Sequence, residues 1–137
     1  MRLQEEKGAV MVEFSIILPL LAVLLFGVVE FSLLLYNQQV ITNASREGAR
    51  AGIVSQTPRL ALADIQQVVN DYTGSHLVTF GTASAAVTTI DNSAGTAFGD
   101  DLTVTVSYQY DFLVLPNFVA SLAGGVNLTA ETVMRYE

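Results

Sequence analysis

The sequence predicts an α+β protein, in which a long apolar N-terminal helix leads into a small domain with a second helix and an antiparallel sheet of about four strands. Three observations carry this prediction. The stretch from Ala9 to Tyr36 is almost continuously hydrophobic, whereas the remainder reads as an ordinary soluble domain. Apolar residues recur at helical spacing after Pro58, at Ala61, Ile65, Val68, Val69 and Tyr72. From Leu102 to Tyr110 the chain alternates, with Leu102, Val104, Val106, Tyr108 and Tyr110 on one face and Thr103, Thr105, Ser107 and Gln109 on the other.

The first element divides into leader, membrane segment and extension. Residues 1–8 form a short charged leader, 9–36 a transmembrane helix, 37–54 its continuation outside the membrane, and 55–137 the domain. A bilayer hydrocarbon core of roughly 30 Å takes about 20 helical residues. Two placements satisfy that length, Val10–Val29 with Glu13 near one interface or Phe14–Leu35 with Glu30 near the other. A carboxylate near an interface costs far less than one at mid-bilayer. Tyr36 falls at the outer boundary, where aromatic side chains are favoured. A cleavable secretory signal would have a shorter apolar core and a small-x-small site after it, and neither is present. Arg2 and Lys7 precede the span, which places the N-terminus in the cytoplasm by the positive-inside rule and the domain on the periplasmic or extracellular side.

Beyond Tyr36 the helical period continues. Val40, Ile41, Ala44, Gly48 and Ala51 lie near one face, and Gln39, Asn43, Arg46 and Arg50 on another. Ala44, Gly48 and Gly52 form a small-x3-small ladder that allows close backbone approach, either between chains or against the domain itself. Arg46 and Arg50, with Glu47 between them, offer a charged face to an acidic partner, against the ordinary alternative of solvated surface side chains. Thr57 is expected to cap the second helix with Pro58 at its first position, and Gly74 to end it. Strands are expected at His76–Phe80, Ala85–Ile90, Leu102–Tyr110 and Val126–Arg135, a loop between Asp91 and Asp101, and a short helix within Phe112–Ala123.

Composition excludes several functions. The net charge is −7, with most acidic residues after the anchor, so a phosphate backbone would be repelled and no nucleic-acid partner is expected. There is no cysteine and one histidine, His76, which leaves no triad and no histidine-rich or thiolate metal site. Asp91, Asn92, Asp100 and Asp101 supply oxygen ligands for calcium in principle, but Asp91-x-Ser93-x-Gly95 puts glycine where an EF-hand needs a ligand. Gly124-Gly125 lacks the lysine of a phosphate cradle, and the acceptor triplets at Asn43 and Asn127 read as coincidental. No enzyme activity, cofactor, metal or small-molecule substrate is expected.

The leader carries the most specific pattern. Met1 to Phe14 reads MRLQEEKGAVMVEF, in which a charged leader ends at Lys7-Gly8, an apolar helix begins at Ala9, and Glu13 is the fifth residue after the glycine. This resembles the processing site of type IV prepilins, and the aromatic Phe14 after the glutamate resembles the Flp branch. The physics suits that arrangement, because cutting after Gly8 would leave a protonated amine at a helix N-terminus, which the helix dipole disfavours. The Glu13 carboxylate one turn on offsets it, in the same subunit or a neighbour, and in a packed helical assembly that pairing favours one register.

Four ordered blocks extend the resemblance: Gly8-Ala-Val-Met-Val-Glu-Phe, Leu18-Pro-Leu-Leu, Gly27-Val-Val-Glu-Phe and Asn43-Ala-Ser-Arg-Glu-Gly-Ala-Arg-Ala-Gly. Together they look like the TadE-like family, minor pilins or pseudopilins of the bacterial tight-adherence (Flp pilus) secretion machinery. The resemblance implies a pilin-like fold and a bacterial inner-membrane protein with one span, able to enter the pilus. Its implied role is structural, in pilus biogenesis and adherence. Implied partners are a prepilin peptidase cutting between Gly8 and Ala9, other pilin-like subunits, Tad assembly proteins of the inner membrane, and the lipid bilayer. Glu13 and Phe14 would set helix register, and the face of Arg46, Glu47 and Arg50 would meet a partner. The alternative is a permanently anchored, unprocessed domain that binds or senses a ligand.

Overall fold

Arg2–Ile53 form one uninterrupted helix of 52 residues, α1, with Pro19 inside it. The computed structural model describes residues 2–55, 58–79, 85–112 and 125–137, with side chains from Gly8 onward. A second helix, α2, spans Leu62–His76. Three strands follow, β1 (Val87–Asp91), β2 (Asp101–Tyr110) and β3 (Val126–Arg135), in the antiparallel order β1-β2-β3.

The alternation of β2 decides which face of the sheet is buried. Leu102, Val104, Val106, Tyr108 and Tyr110 are all at most 3% exposed, and Leu128 and Ala130 of β3 join them. Thr103, Thr105 and Ser107 lie on the opposite face, paired in register with Val133, Glu131 and Thr129. A sheet with one apolar face must be covered, and the two helices cover it. The cover from α1 is Val40, Ile41, Ala44 and Ala49; that from α2 is Ile65 and Val69. The buried row of α1 runs Asn37, Val40, Ile41, Ala44, Ser45, Gly48, Ala49 and Gly52, a repeat of three and four residues. Ala51, expected on that row, is only half-buried, and Ala49 takes its place.

The elements are aligned end to end. Leu102 approaches Gly52, Val104 approaches Gly48, and Tyr110 reaches Glu30, so β2 runs antiparallel to α1. Ile65 and Val69 meet the upper part of α1, and Val78 meets Asn37, so α2 also descends along it. The domain therefore has a near end, at Glu30, and a far end, at Ile53. The turn between β1 and β2 is at the far end, where Gly95 and Gly99 take φ of +120° and +95°, values that favour glycine.

Three expectations need correction. The sheet has three described strands, not about four: His76 is the last residue of α2, and Leu77 to Thr79 form no strand. Phe80 and the helix expected within Phe112–Ala123 fall largely outside the described residues. The second helix begins at Leu62 rather than after Thr57, because the Asp64 carboxylate accepts the Ala61 N–H at 3.2 Å and fixes the first turn there. It also runs past Gly74 to His76, whose imidazole hydrogen-bonds the Tyr72 carbonyl at 2.8 Å and stacks on the Tyr72 ring. The second expected strand is found at Val87–Asp91, and the third and fourth are found with Val126–Arg135 unchanged.

Candidate functional site

The lower half of α1 is the most unusual surface of the chain. From Val10 to Val29 large apolar side chains are exposed around the whole circumference, including Ile16, Leu20, Leu24 and Val28 at 61–69%. An exposed apolar surface of this extent needs a non-aqueous or protein environment. Among the described residues this is the one helix long and apolar enough to cross a membrane, and none of its apolar window is covered by the domain.

Gly8 opens this segment with no other group within 4 Å of where a β-carbon would stand. Glu13 and Phe14 are both exposed on it. The helix thus presents the residues around Gly8–Ala9 and the Glu13 carboxylate without shielding from the domain. Among the described residues no ion pair involves Glu13.

At the top of the apolar run the environment changes within one residue. Glu30 is 2% exposed, and the Tyr110 hydroxyl donates to its Oε1 at 2.6 Å. A carboxylate held against a sheet by a phenol is a short, charge-assisted bond. Tyr110 is itself braced by an edge-to-face contact with Phe112, ring centres 5.9 Å apart. Burial, and then the Glu30 carboxylate, push the Tyr110 phenol well above its usual value. Because the folded value is raised, this contribution to stability is whole below about pH 10 and is lost as the pH climbs through the folded value. Tyr110→Phe is expected to cost about 1.5 kcal/mol and to flatten the alkaline fall in melting temperature; thermal melts between neutral pH and strong alkali check both.

About two turns higher, Asn37 is completely buried. Its side-chain nitrogen donates to the Val78 carbonyl at 2.9 Å, and its oxygen accepts the Val78 N–H at 3.0 Å. Gln38 donates to the Thr129 carbonyl at 3.1 Å, and Ser45 shares a 2.7 Å hydroxyl–hydroxyl bond with Thr132. Four polar residues of α1 thus clamp the helix to the strands and to the segment after α2. Sequence reasoning assigned no clamp to them. The available signal was a glutamate interrupting an apolar run, together with a tyrosine whose strand parity turns it inward.

The small-residue ladder faces the chain's own core. A β-carbon on Gly48 would stand 2.4 Å from a Val69 methyl, and one on Gly52 2.4 Å from a Leu102 methyl, while Ala44 is fully buried. Arg50 pairs with Glu47 at 2.8 Å on the same helix, which lowers the carboxyl and raises the guanidinium through their hydrogen bond. Arg46 is exposed and makes no ion pair among the described residues. No cluster of metal-ligating side chains occurs among the described residues. The Asp91 carboxylate caps its own turn by accepting the Ser93 N–H at 2.8 Å, and this lowers its pKa. An open, uncharged groove of about 500 Å³ runs between α2 and β1, lined by residues such as Asn70, Thr79 and Thr88.

The upper end of the exposed apolar run and its seat on the domain lie in one stretch of sequence with the leader pattern. Residues 8–50 match the family model of the TadE-like proteins. The TadE-like segment starts at Gly8 and ends at Arg50, so it takes in the exposed apolar half of α1 together with Glu30, Asn37 and most of the buried row. No curated protein and no solved structure gives a significant match to the chain.

Proposed function

We propose that the chain is a minor pilin-like subunit of a Tad/Flp pilus assembly and secretion machine, cut by a prepilin peptidase between Gly8 and Ala9. The observation that carries this reading is the TadE-like match beginning at Gly8, on a helix whose apolar surface is bare all round. After cleavage, Ala9 opens the helix as a protonated amine and Glu13 is one turn away. Glycine at the cleavage position favours the local unwinding that a protease needs, since it weakens a helix by about 1 kcal/mol relative to alanine.

In this reading the domain stays outside the inner membrane and the anchor helix joins other pilin-type helices. Glu13 sets their axial register by neutralising an Ala9 amine, its own or a neighbour's, and Phe14 fills the adjoining helix groove. Arg46 is the cation left for a partner's carboxylate, since Arg50 is engaged by Glu47. The Tad assembly proteins of the inner membrane are the further partners.

Glu13→Leu tests the proposal. It keeps the helix apolar and removes the registering charge, a partly shielded interaction of about 1.4 kcal/mol, equivalent to a tenfold change in an equilibrium. Surface pili, counted after shearing, should fall on the order of tenfold while the protein remains in the membrane fraction. Unchanged pilus numbers at normal protein levels would remove Glu13 from assembly.

A further inference from the structure

We propose that the outer edge of the bilayer's hydrocarbon core crosses α1 between Val29 and Glu30, and that the domain sits directly on the headgroup layer by its sparsely charged Tyr110–Phe112 end. This rests on the single-span reading above and fixes its depth, which the sequence left open between two placements.

The change at residue 30 is the first argument. Below it the helix is exposed and apolar on every side; from Glu30 onward one face is buried against the domain, with Leu33 and Leu34 packed on its core and Asn37 hydrogen-bonded to Val78. The length agrees: Ala9–Val29 rises about 31 Å at 1.5 Å per residue, the thickness of a hydrocarbon core. The higher placement, Phe14–Leu35, is also long enough but drags the Glu30–Tyr110 contact and the adjoining strand ends into hydrocarbon. Lipid-exposed sheet edges and connections are not tolerated there, because their backbone groups have no partner. The domain therefore stops the helix from sinking further.

On the side of α1 facing away from the sheet, Phe31, Leu35 and Tyr36 remain exposed. Above Val29 they span about 3–10 Å of rise, the depth of the headgroup layer, where aromatic rings are favoured. Charge distribution matches the same seating. The described ionisable groups at the near end of the domain are Glu30, buried against Tyr110, and Asp111. Strand register puts Asp91, Asp100 and Asp101 at the far end, beside Thr103 and Arg135. Among the described residues, an acidic domain thus turns its least charged end to the bilayer.

The chain has no cysteine, so single cysteines report depth without interference. Val28→Cys, Phe31→Cys, Leu35→Cys and Gln39→Cys lie on the exposed stripe of α1, and Leu20→Cys serves as a mid-span control. Each is reconstituted in phosphatidylethanolamine–phosphatidylglycerol vesicles and treated with a membrane-impermeant maleimide, with detergent-solubilised protein as full reaction. The expected result is protection at positions 20 and 28, and labelling at 35 and 39 at least tenfold faster than at 28. An environment-sensitive dye at Phe112→Cys should be quenched by headgroup-level spin-labelled lipid, and one at Ser93→Cys should not. Protection at 35 equal to that at 28, or equal quenching at 112 and 93, would overturn the seating while leaving the span intact. Rapid labelling at position 20 would instead bring down the single-span reading, and the boundary with it.

Discussion

Gly48→Leu is expected to remove about 3 kcal/mol of domain stability, near the upper end of what overpacking does. The substitution has one favourable component, since leucine gains roughly 0.8–1 kcal/mol over glycine in a helix interior. Packing decides the sign. The first added carbon alone would stand 2.4 Å from the Val69 Cγ2, with Val104 and Ile65 methyls at 3.5 and 3.7 Å. Val69 is fully buried and β-branched, so it cannot rotate aside cheaply. Relief requires α1 and α2 to separate, which opens the core above Ile41 and Ala44. For a domain of this size the loss lowers the melting temperature by at least about 12 °C. Circular dichroism melts in detergent measure it, and Gly27→Leu is the control. Gly27 has no atom within 4 Å of an added carbon, so the same chemical change there should leave the domain transition in place.

Asn37→Leu is expected to cost about 2–4 kcal/mol, because it strips both hydrogen bonds from one part-buried stretch of backbone. Val78 follows α2 and forms no strand pairing, yet its N–H and C=O are satisfied as a ladder partner would satisfy them, by the two ends of one side-chain amide. Leucine fills similar space with no donor or acceptor, so the Val78 groups are left unpaired where Asn37 was fully buried. Asn37→Asp should be intermediate, retaining the acceptor for the Val78 N–H and losing the donor to its carbonyl. Denaturant midpoints give the cost, and accelerated amide exchange at Val78 locates it. A midpoint unchanged from wild type would show that this clamp contributes nothing.

These two residues also show where sequence reasoning reached and where it stopped. The alternation of β2 was legible because one face of the sheet is buried along its full length, and strand parity then leaves no choice of face. The same period gave β3 its ends. The helical repeat of α1 beyond Tyr36 was legible for a similar reason, and Gly48 and Gly52 stood out as small residues on its inner side. What they approach was not legible, since a ladder of small residues serves a neighbouring chain or its own core equally well. His76–Phe80 misled because Leu77, Val78 and Thr79 have strand-like side chains, while the partner for their backbone is a side chain some forty residues earlier, a pairing that carries no local signal. Thr57-Pro58 gave a sound start signal that lost to the Asp64 carboxylate on the Ala61 amide. The contact of Glu30 with Tyr110 joins residues 80 apart in sequence, and only the fold brings them together.

For the leader the position is reversed. Gly8, Ala9, Glu13 and Phe14 were chosen from the sequence, and the fold adds that they stand on a helix surface the domain does not cover. Their roles depend on an event in the cell. The most direct measurement is the intact mass and N-terminal sequence of the membrane-extracted protein, with and without the prepilin peptidase. The account predicts a mature chain beginning at Ala9 that disappears when the peptidase is absent. An N-terminus at Met1 in both strains would contradict it and leave the chain outside the pilin processing pathway.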